Sequence, residues 1–381
     1  DHTGTSREKN TNHFKDYDLV LTTYGTLRKD IFFLKDYPFD YLVLDESQAI
    51  KNPNSDSAKA ARLLSGQYRV ALTGTPVENH LGELWSQFEF LNPSILGNSS
   101  LFQKLSGGET RSVSEENKPF LSRSLRPFLL RRRKEDVAPE LPAKTEQLIY
   151  CEMEGKQKEM YAQLREYYRR SLLKQIDTEG IAKTKIQILE ALLRLRQAAC
   201  HPGLLDESLA FQGSAKLDAL FPQLFEVIEE GHKALVFSQF TKFLALVRNH
   251  LEKEKIPYEY LDGKTTDREG VVNHFEQDPE CKIFLISLKA GGFGLNLTSA
   301  EYVFLLDPWW NPAVESQAVD RTHRIGQTKP VFAYRLIAKG TVEEKVLALQ
   351  ETKKELAQSI LEEGDNLIRN MTVHDLELLL S

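Results

Sequence analysis

The chain has 381 residues, a formal net charge of −6 and a pI near 5.9. Dedicated nucleic-acid-binding domains are usually basic, so the total charge gives no support for one, but a locally positive groove stays allowed because charges are screened over roughly 8 Å. No apolar run reaches the roughly 18 residues of a membrane span, and three separated cysteines without a CxxC pair favour an intracellular protein with reduced thiols.

Short apolar, β-branched runs alternate with amphipathic helical patterns along most of the chain. Strands are predicted at Tyr17–Thr23, Tyr41–Asp45, Tyr68–Thr73, Ala234–Ser238, Ile283–Ser287, Tyr302–Leu306 and Val331–Ile337. Helices are predicted at Thr241–Lys253, Thr266–Gln277 and Ala313–His323. Alternating strands and helices are typical of parallel sheets covered by helices, so the sequence predicts an α/β protein.

The middle of the chain has no strand signal. Gly155–Ala199 is helical in pattern, Asn98–Asn117 predicts a mobile loop, and Pro139 and Pro142 mark a connector. Thr341–Glu363 predicts one charged amphipathic helix. The predicted domains are a first α/β lobe with its connector at 1–150, a helical insertion at 151–213, a second α/β lobe at 214–340 and a helical extension at 341–381.

The first chemical motif is a pair of carboxylates at the end of an apolar strand. Asp45 and Glu46 follow Leu42–Leu44 and precede Ser47 and Gln48. Ligands of open α/β sheets bind beyond the carboxyl ends of strands. There, Asp45 can hold Mg²⁺ through its hydration shell and Glu46 can orient and deprotonate a water, the two tasks of phosphoryl transfer. Taken alone, such a pair is more often a helix cap.

The second motif, Thr73-Gly74-Thr75-Pro76, follows another apolar strand. Gly74 frees the backbone, and two hydroxyl groups project from a tight turn, where they can relay a rearrangement between a phosphate site and a neighbouring surface. The same residues also predict a capped helix start at Pro76.

The third motif is a glycine-rich loop. Gly291, Gly292 and Gly294 follow the strand that ends at Ser287. Such a loop lets a phosphate approach backbone N–H groups closely, although the glycines by themselves are also compatible with a flexible turn.

The fourth motif contains two arginines. Arg321 and Arg324 are three residues apart on one predicted helix, so they are expected to share a face. Two guanidinium groups aimed across a cleft suit the transition state of γ-phosphate transfer, where one such arginine is worth ~10³–10⁵ in rate. By themselves the arginines are also compatible with a surface salt-bridge pair.

In this order the four motifs resemble motifs II, III, V and VI of superfamily-two helicase-type ATPases, with Asp45–Gln48 as a variant DEAH box. The chain is more closely similar to Swi/Snf-type remodellers and DNA translocases, from about Asp18 to the C-terminal helix. The segments that carry this closer resemblance are Arg126–Val137, Leu193–Pro202, Lys233–Phe240, Tyr260–Thr265, Asp307–Asn311 and Arg321–Gln327.

The resemblance implies two RecA-like P-loop NTPase lobes, the first incomplete, with ATP and Mg²⁺ between them and duplex DNA tracked along its minor groove. It implies catalytic roles, with Asp45 also the magnesium ligand, for Asp45, Glu46, Arg321, Arg324 and Gln317. It places near the nucleotide Gly294, Asp320, Gln48 and Thr73. It places near DNA Thr75, Lys289, Gly291, Gly292, Asn296 and Trp309.

The same resemblance sets expectations for partners. They are double-stranded DNA and DNA-bound proteins such as a nucleosome or transcription complex, with no membrane and a monomeric motor. The expected location is the cytoplasm of a bacterium or archaeon, with the nucleus as alternative. For the basic run Arg131–Lys134, phosphate contact and a solvated face both stay open.

One element of the family is missing from the printed sequence. A Walker A loop, GxxxxGK[ST], has no match ahead of Asp45. The only Gly-Lys-Thr, Gly263–Thr265, comes after the box, has the wrong spacing and is predicted to be a turn. The chain alone is therefore expected to bind ATP poorly and to hydrolyse it slowly or not at all.

A second departure is Ser47-Gln48 in place of the commoner Ala/Gly-His, but Gln48 can still donate and accept hydrogen bonds, so coupling should survive. Three functions stay open. They are an ATP-driven duplex translocase within a longer protein, a non-catalytic nucleic-acid-binding module, and a strand-separating helicase, for which no sequence element demands a wedge.

Overall fold

The structure, a computed structural model, describes residues 1–4, 6–74, 81–97, 125–130, 132, 134–180, 183–291, 295–309 and 312–348. The described chain divides into two units, one ending at Arg131 and the other beginning at Arg132. The loop predicted at Asn98–Asn117 lies outside the described residues. Of the helix predicted at Thr341–Glu363, residues 342–348 are helical and residues 349–363 lie outside them.

Within the described residues, the first unit contains two parallel strands and three α-helices. The strands are β1 (Phe39–Leu44) and β2 (Gly66–Ala71), which pair in register Leu42 to Arg69. The helices are α1 (Tyr24–Leu34), α2 (Asp56–Leu63) and α3 (Leu81–Leu91).

The two faces of this small sheet differ. Leu42 and Leu44 are buried among the apolar side chains of the unit. The alternating side chains Tyr41, Val43 and Tyr68 are 63%, 57% and 50% exposed, and the two tyrosine rings stack 4.8 Å apart. Because successive strand residues point to opposite faces, one face of the sheet is covered and the other is an exposed apolar surface.

The prediction of a strand at Tyr17–Thr23 is wrong. Among these residues only Thr22 makes a β-bridge, to His2, and Thr23 instead caps α1 by accepting the Thr26 N–H. Tyr17 and Leu19 are 65% and 71% exposed. The apolar alternation was present, but no neighbouring strand pairs with this stretch in the described part of the chain.

The second unit contains a six-stranded, entirely parallel sheet in the order β3-β8-β7-β4-β6-β5. Its strands are β3 (Lys144–Cys151), β4 (Ala234–Ser238), β5 (Tyr258–Leu261), β6 (Ile283–Ser287), β7 (Tyr302–Leu305) and β8 (Val331–Ala338). Every residue of β4 and β6 is buried, as expected for central strands covered on both faces.

Helices surround this sheet. They are α4 (Lys134–Val137), α5 (Gly155–Glu179), α6 (Lys185–Cys200), α7 (Ala215–Glu229), α8 (Thr241–Lys253), α9 (Arg268–Gln277), α10 (Leu288–Gly291) and α11 (Pro312–Val319). The α/β class is confirmed, and the helical pattern at Gly155–Ala199 corresponds to two helices, α5 and α6, with residues 181–182 between them outside the described residues. Strands β3 and β5 were not predicted. No helix among the described residues is long and apolar enough to cross a membrane.

A fully buried ion pair joins α7 to the chain beyond β8. Lys216 Nζ lies 2.7 Å from Glu343 Oε2 and donates to the Leu306 carbonyl at 2.6 Å, and neither charged side chain is exposed. Glu343 also accepts the Ala338 N–H at 2.9 Å. A buried charge is tolerated only when it is paired and hydrogen-bonded, so each partner depends on the other.

We therefore expect Lys216→Met to lower the free energy of unfolding of the second unit by about 3–5 kcal/mol, since it leaves a buried carboxylate unpaired. The double variant Lys216→Met, Glu343→Gln should recover part of that loss. The matched control is Lys242→Met, whose partner Glu207 is 82% exposed, and which should cause no resolvable change in urea denaturation. Equal effects at positions 216 and 242 contradict the role assigned to the buried pair.

Candidate functional site

The acidic pair lies directly beyond the carboxyl end of β1. Asp45 is exposed and its Oδ1 accepts the Glu46 N–H at 2.9 Å. Glu46 adopts the left-handed conformation (φ 48, ψ 52), which costs a non-glycine residue roughly 1–2 kcal/mol. The Ser47 N–H donates to the Leu72 carbonyl at 2.9 Å and ties this turn to the end of β2. Glu46 precedes a short 3-10 helix but its side chain makes no capping hydrogen bond, so the helix-cap interpretation fails.

Gln48 connects the acidic pair to the second motif. Its Nε2 donates to Glu46 Oε2 at 2.6 Å, and its Oε1 accepts the Thr73 hydroxyl at 2.9 Å. The Gln48 amide thus both donates and accepts a hydrogen bond, as expected for a residue that stands where His is commoner. The structure brings Glu46, Gln48 and Thr73 into one hydrogen-bond chain, whereas Thr75 lies outside the described residues.

Tyr24 is a further residue beside this pair, and sequence reasoning missed it. Its hydroxyl donates to the Asp45 carbonyl at 2.9 Å. Burial, together with the negative charges of Asp45 and Glu46, raises the pKa of Tyr24 to about 12. The phenol therefore stays protonated at neutral pH and remains a donor to the turn. The signal that could have found it is its place at the start of α1, directly after the Thr23 cap.

In the second unit, the carboxyl ends of β4 and β7 hold a buried aspartate. Asp307 is fully buried and accepts the Ser238 hydroxyl at 2.5 Å and the Gln239 N–H at 3.2 Å. It belongs to four residues, Leu306 to Trp309, which we call the 306–309 loop. Trp309, the residue expected near DNA, is half-buried within this loop.

The helical insertion reaches the 306–309 loop through Arg196 of α6. This guanidinium is buried, donates to the Pro308 carbonyl and to Gln239 Oε1, and lies 3.6 Å from Asp307 Oδ2. Lys216 donates to the Leu306 carbonyl at the other end of the loop. Buried cations from two helices therefore set the position of this loop.

Glu315 holds the remaining end of the loop, and sequence reasoning missed it too. Its Oε1 accepts the Trp309 N–H, and its Oε2 lies 3.2 Å from Arg335 Nε. Arg335 also donates to Glu146 Oε2 at 2.9 Å. Burial raises the pKa of Glu315 to about 7, against the opposing attraction of Arg335. The available signal was a glutamate among apolar neighbours in the first turn of α11.

The prediction that Arg321 and Arg324 share a helical face is wrong, because α11 ends at Val319. The Thr322 hydroxyl donates to the Val319 carbonyl at 2.7 Å, and the chain turns out of the helix. Arg321 is only 2% exposed, and its carbonyl accepts the Leu297 N–H at 3.1 Å. Arg324 is half-buried further along the turn. We call residues 320–324 the arginine loop.

Lys134 of α4 holds the arginine loop on both sides of Arg321. Its Nζ lies 2.8 Å from Asp320 Oδ1 and donates to the His323 carbonyl at 2.9 Å. His323 Nε2 in turn lies 2.8 Å from the Pro142 carbonyl oxygen. The last residue of the basic run thus binds protein, and the connector around Pro142 packs on the same loop.

The remaining predicted residues are only partly described. Lys289 of α10 and Asn296 are exposed, and Gln317 of α11 is half-buried. Gly291 ends α10, while Gly292 and Gly294 lie outside the described residues. Of the basic run, Arg132 is exposed, and Arg131 and Arg133 lie outside the described residues.

The turn predicted at Gly263–Thr265 is confirmed. Asp262 Oδ1 accepts the Lys264 N–H at 2.8 Å, and the Thr265 hydroxyl accepts the Asp262 N–H at 3.0 Å. These backbone groups are already used within the turn, so the segment does not offer them to a phosphate as a Walker A loop does.

Glu315 gives this site a pH dependence with a defined sign. Because its pKa rises from 4.5 to about 7, the folded protein keeps a proton that the unfolded chain has released. The stabilisation is present below pH 4.5 and is lost as the pH rises through 7, which lowers the free energy of unfolding by at most about 3 kcal/mol. Glu315→Gln should flatten this slope in urea denaturation, whereas the exposed control Glu269→Gln should not. An unchanged slope in Glu315→Gln contradicts the assignment.

Comparison with known proteins identifies the family. A model of the SNF2-related domain matches residues 2–204, and a model of the helicase conserved C-terminal domain matches residues 215–326. The chain is 38% identical over 360 residues to an uncharacterized ATP-dependent helicase of Mycoplasma genitalium, covering 94% of this chain and 34% of that protein. It is 35% identical over 418 residues to TATA-binding protein-associated factor MOT1 of Saccharomyces cerevisiae, covering 95% of this chain and 22% of that protein.

The chain therefore spans about a third or less of the length of these two relatives. Among solved structures it resembles the Sulfolobus solfataricus SWI2/SNF2 ATPase core in complex with dsDNA. That match has 36% identity and a TM-score of 0.52, and covers 96% of this chain and 77% of the other. The family predicted from the motifs is thus confirmed, and this chain belongs to the SNF2-related, Swi/Snf-type branch of superfamily-two ATPases, with parallel sheets and flanking helices of the RecA-like kind.

Proposed function

We propose that this chain is part of an ATP-driven motor that tracks along duplex DNA and displaces or remodels the proteins bound to it. The observation that carries the proposal is the hydrogen-bond chain from Glu46 through Gln48 to Thr73 at the ends of β1 and β2. The Glu46 carboxylate is suited to activating water. The turn that carries the Thr73 hydroxyl is suited to relaying a change in the nucleotide site, and the hydrogen-bond chain joins the two.

The acidic pair fits a magnesium–nucleotide complex. Carboxylate oxygens are the protein donors that Mg²⁺ prefers, and it usually keeps several waters, which suits the exposed Asp45. In the proposal Asp45 holds Mg²⁺ through water, and Glu46 aligns the attacking water and accepts its proton. Bound ATP would supply the transferable phosphoryl group and Mg²⁺ would neutralise part of its charge. The Gln48 amide fixes the orientation of the Glu46 carboxylate.

The arginine loop is proposed to supply positive charge for phosphoryl transfer. Arg321 and Arg324 are proposed to neutralise the charge that develops on the phosphoryl oxygens. The hydrogen bonds of Lys134 on both sides of Arg321 support this role, because a preorganised donor needs a fixed backbone. Near the nucleotide we also propose Gln317, Asp320 and Gly294.

Duplex DNA is the proposed track. Lys289 and Asn296 are exposed polar groups beside the glycine-rich loop and are suited to phosphate contacts. The similarity to an ATPase core solved with dsDNA supports this choice of partner. Further DNA contacts are proposed for Thr75, Gly291, Gly292 and Trp309. Strand separation is the alternative, favoured only by the word helicase in the names of relatives.

Two observations support the further proposal that this chain alone turns over ATP slowly or not at all. The printed sequence has no GxxxxGK[ST], and the backbone N–H groups of Asp262, Lys264 and Thr265 are used within their own turn. The β1–β2 sheet also leaves Tyr41 and Val43 exposed, whereas parallel sheets are normally covered on both faces. Additional protein that carries the phosphate loop is proposed to complete this lobe.

The test compares ATP turnover by the 381-residue chain with that of a longer protein in which a Walker A loop precedes it. DNA-stimulated hydrolysis is expected only from the longer protein. There, Glu46→Gln should lower turnover by at least ~10²-fold, as expected for loss of a general base, while ATP binding persists. The exposed control Glu269→Gln should leave turnover unchanged.

Robust DNA-stimulated hydrolysis by the 381-residue chain would overturn the proposed dependence on the phosphate loop. Full turnover in Glu46→Gln would overturn the catalytic assignment. A strand-displacement assay on a tailed duplex separates the alternatives, because the translocase should displace a bound protein and leave the strands paired.

A further inference from the structure

A group of three possible metal ligands lies at the β5 edge of the second sheet. Glu259 is on the edge strand β5, His274 is on α9, and Cys281 is in the connection to β6. One ligand atom from each lies within 4.8 Å of the other two, and Glu259 Oε1 is 2.6 Å from His274 Nδ1. Three different chain segments therefore bring a carboxylate, an imidazole and a thiol together.

A second carboxylate lies beside the imidazole. Asp278, just after α9, has its Oδ2 at 3.4 Å from His274 Nε2, the ring nitrogen opposite the one facing Glu259. Histidine ligands of metals commonly have such a partner on the nitrogen that does not bind, because it fixes the ring and raises its basicity. A simple surface ion pair between Glu259 and His274 does not require it.

Cys281 lies on the inner side of the group. Its side chain is 1% exposed, and its thiol donates a long hydrogen bond of 3.9 Å to the Ile283 carbonyl. His274 is 55% exposed and can rotate, and Glu259 is 21% exposed. The ligands thus close the site from inside and leave its outer side open to water.

The chemistry of the three groups selects the ion. Thiolate and imidazole suit Zn²⁺, whereas Mg²⁺ and Ca²⁺ prefer oxygen ligands alone. Bond lengths of about 2.0–2.3 Å place tetrahedral ligands about 3.5 Å apart. The exposed His274 ring therefore has to move outward from Glu259, which is 2.6 Å away, to make room.

We propose that Glu259, His274 and Cys281 bind one Zn²⁺ ion in tetrahedral geometry, with water as the fourth ligand. The ion would join the edge strand β5 to α9 and to the start of β6. Its role is structural, and it does not depend on the proposed motor activity.

Two features of the site affect metal binding: the burial of the Cys281 thiol and the positive charge of Lys233. The buried Cys281 thiol has to release its proton in order to bind a metal, so binding is expected to weaken as pH falls. Lys233 Nζ donates to the Phe275 and Asp278 carbonyls nearby. Its positive charge favours the Cys281 thiolate but also repels the metal ion. These opposing effects predict moderate affinity.

The test titrates the intact 381-residue chain with Co²⁺, whose thiolate complexes absorb in the near ultraviolet and whose tetrahedral complexes absorb strongly in the visible. One equivalent should produce both bands, and Zn²⁺ should remove them. Cys281→Ser should lose the thiolate band, whereas the control Cys151→Ser, at another buried cysteine, should keep it. Asp278→Asn should weaken binding about 10–100-fold.

A loss of binding can be distinguished from misfolding, because His274 is largely exposed. His274→Ala should leave the thermal unfolding temperature of the metal-free protein unchanged. The same variant should weaken Co²⁺ binding at least tenfold. A folded wild-type chain without a cobalt–thiolate band overturns the proposal. A band that survives Cys281→Ser, or binding that is indifferent to both His274→Ala and Glu259→Gln, overturns it as well.

Discussion

Buried charged and polar side chains from several elements of the second unit fix the position of the 306–309 loop. Its four residues are held by buried polar side chains from α6, α7, β4 and α11, namely Arg196, Lys216, Ser238 and Glu315. Each of these groups would lose a hydrogen-bond or ionic partner if the loop moved, and an unpaired buried charge is costly. The helical insertion is therefore part of the site's support, because Arg196 ties it directly to the end of β7.

In the first unit, a strained turn after β1 positions the carboxylates. Its two parallel strands end together, and the turn beyond β1 holds Glu46 in a left-handed conformation that a glutamate rarely adopts. Backbone bonds to the end of β2 and the Gln48 amide hold that turn in place. Strain held by surrounding structure is typical of functional positions, and here it presents two carboxylates beyond one strand end.

The sequence predicted what depends on local pattern and missed what depends on distant partners. β4, β6 and α8 match their predicted bounds because continuous apolar runs and a clean helical period leave little choice. β3 and β5 are edge strands with polar residues, so that signal was weak. The arginine loop was misread because Thr322 and Lys134 end the helix through contacts no periodicity reveals. Tyr24 and Glu315 likewise act through distant partners, Asp45 and Arg335.

The central proposal is that Arg321 and Arg324 neutralise the charge that develops on the phosphoryl group during its transfer from ATP. The most direct measurement is ATP turnover, at saturating ATP and duplex DNA, by a longer protein carrying a Walker A loop and the double change Arg321→Ala, Arg324→Ala. A fall of at least ~10³-fold with unchanged DNA affinity is predicted, against no change for the control Arg170→Ala, at a side chain 80% exposed. Turnover indifferent to loss of both arginines would contradict the account.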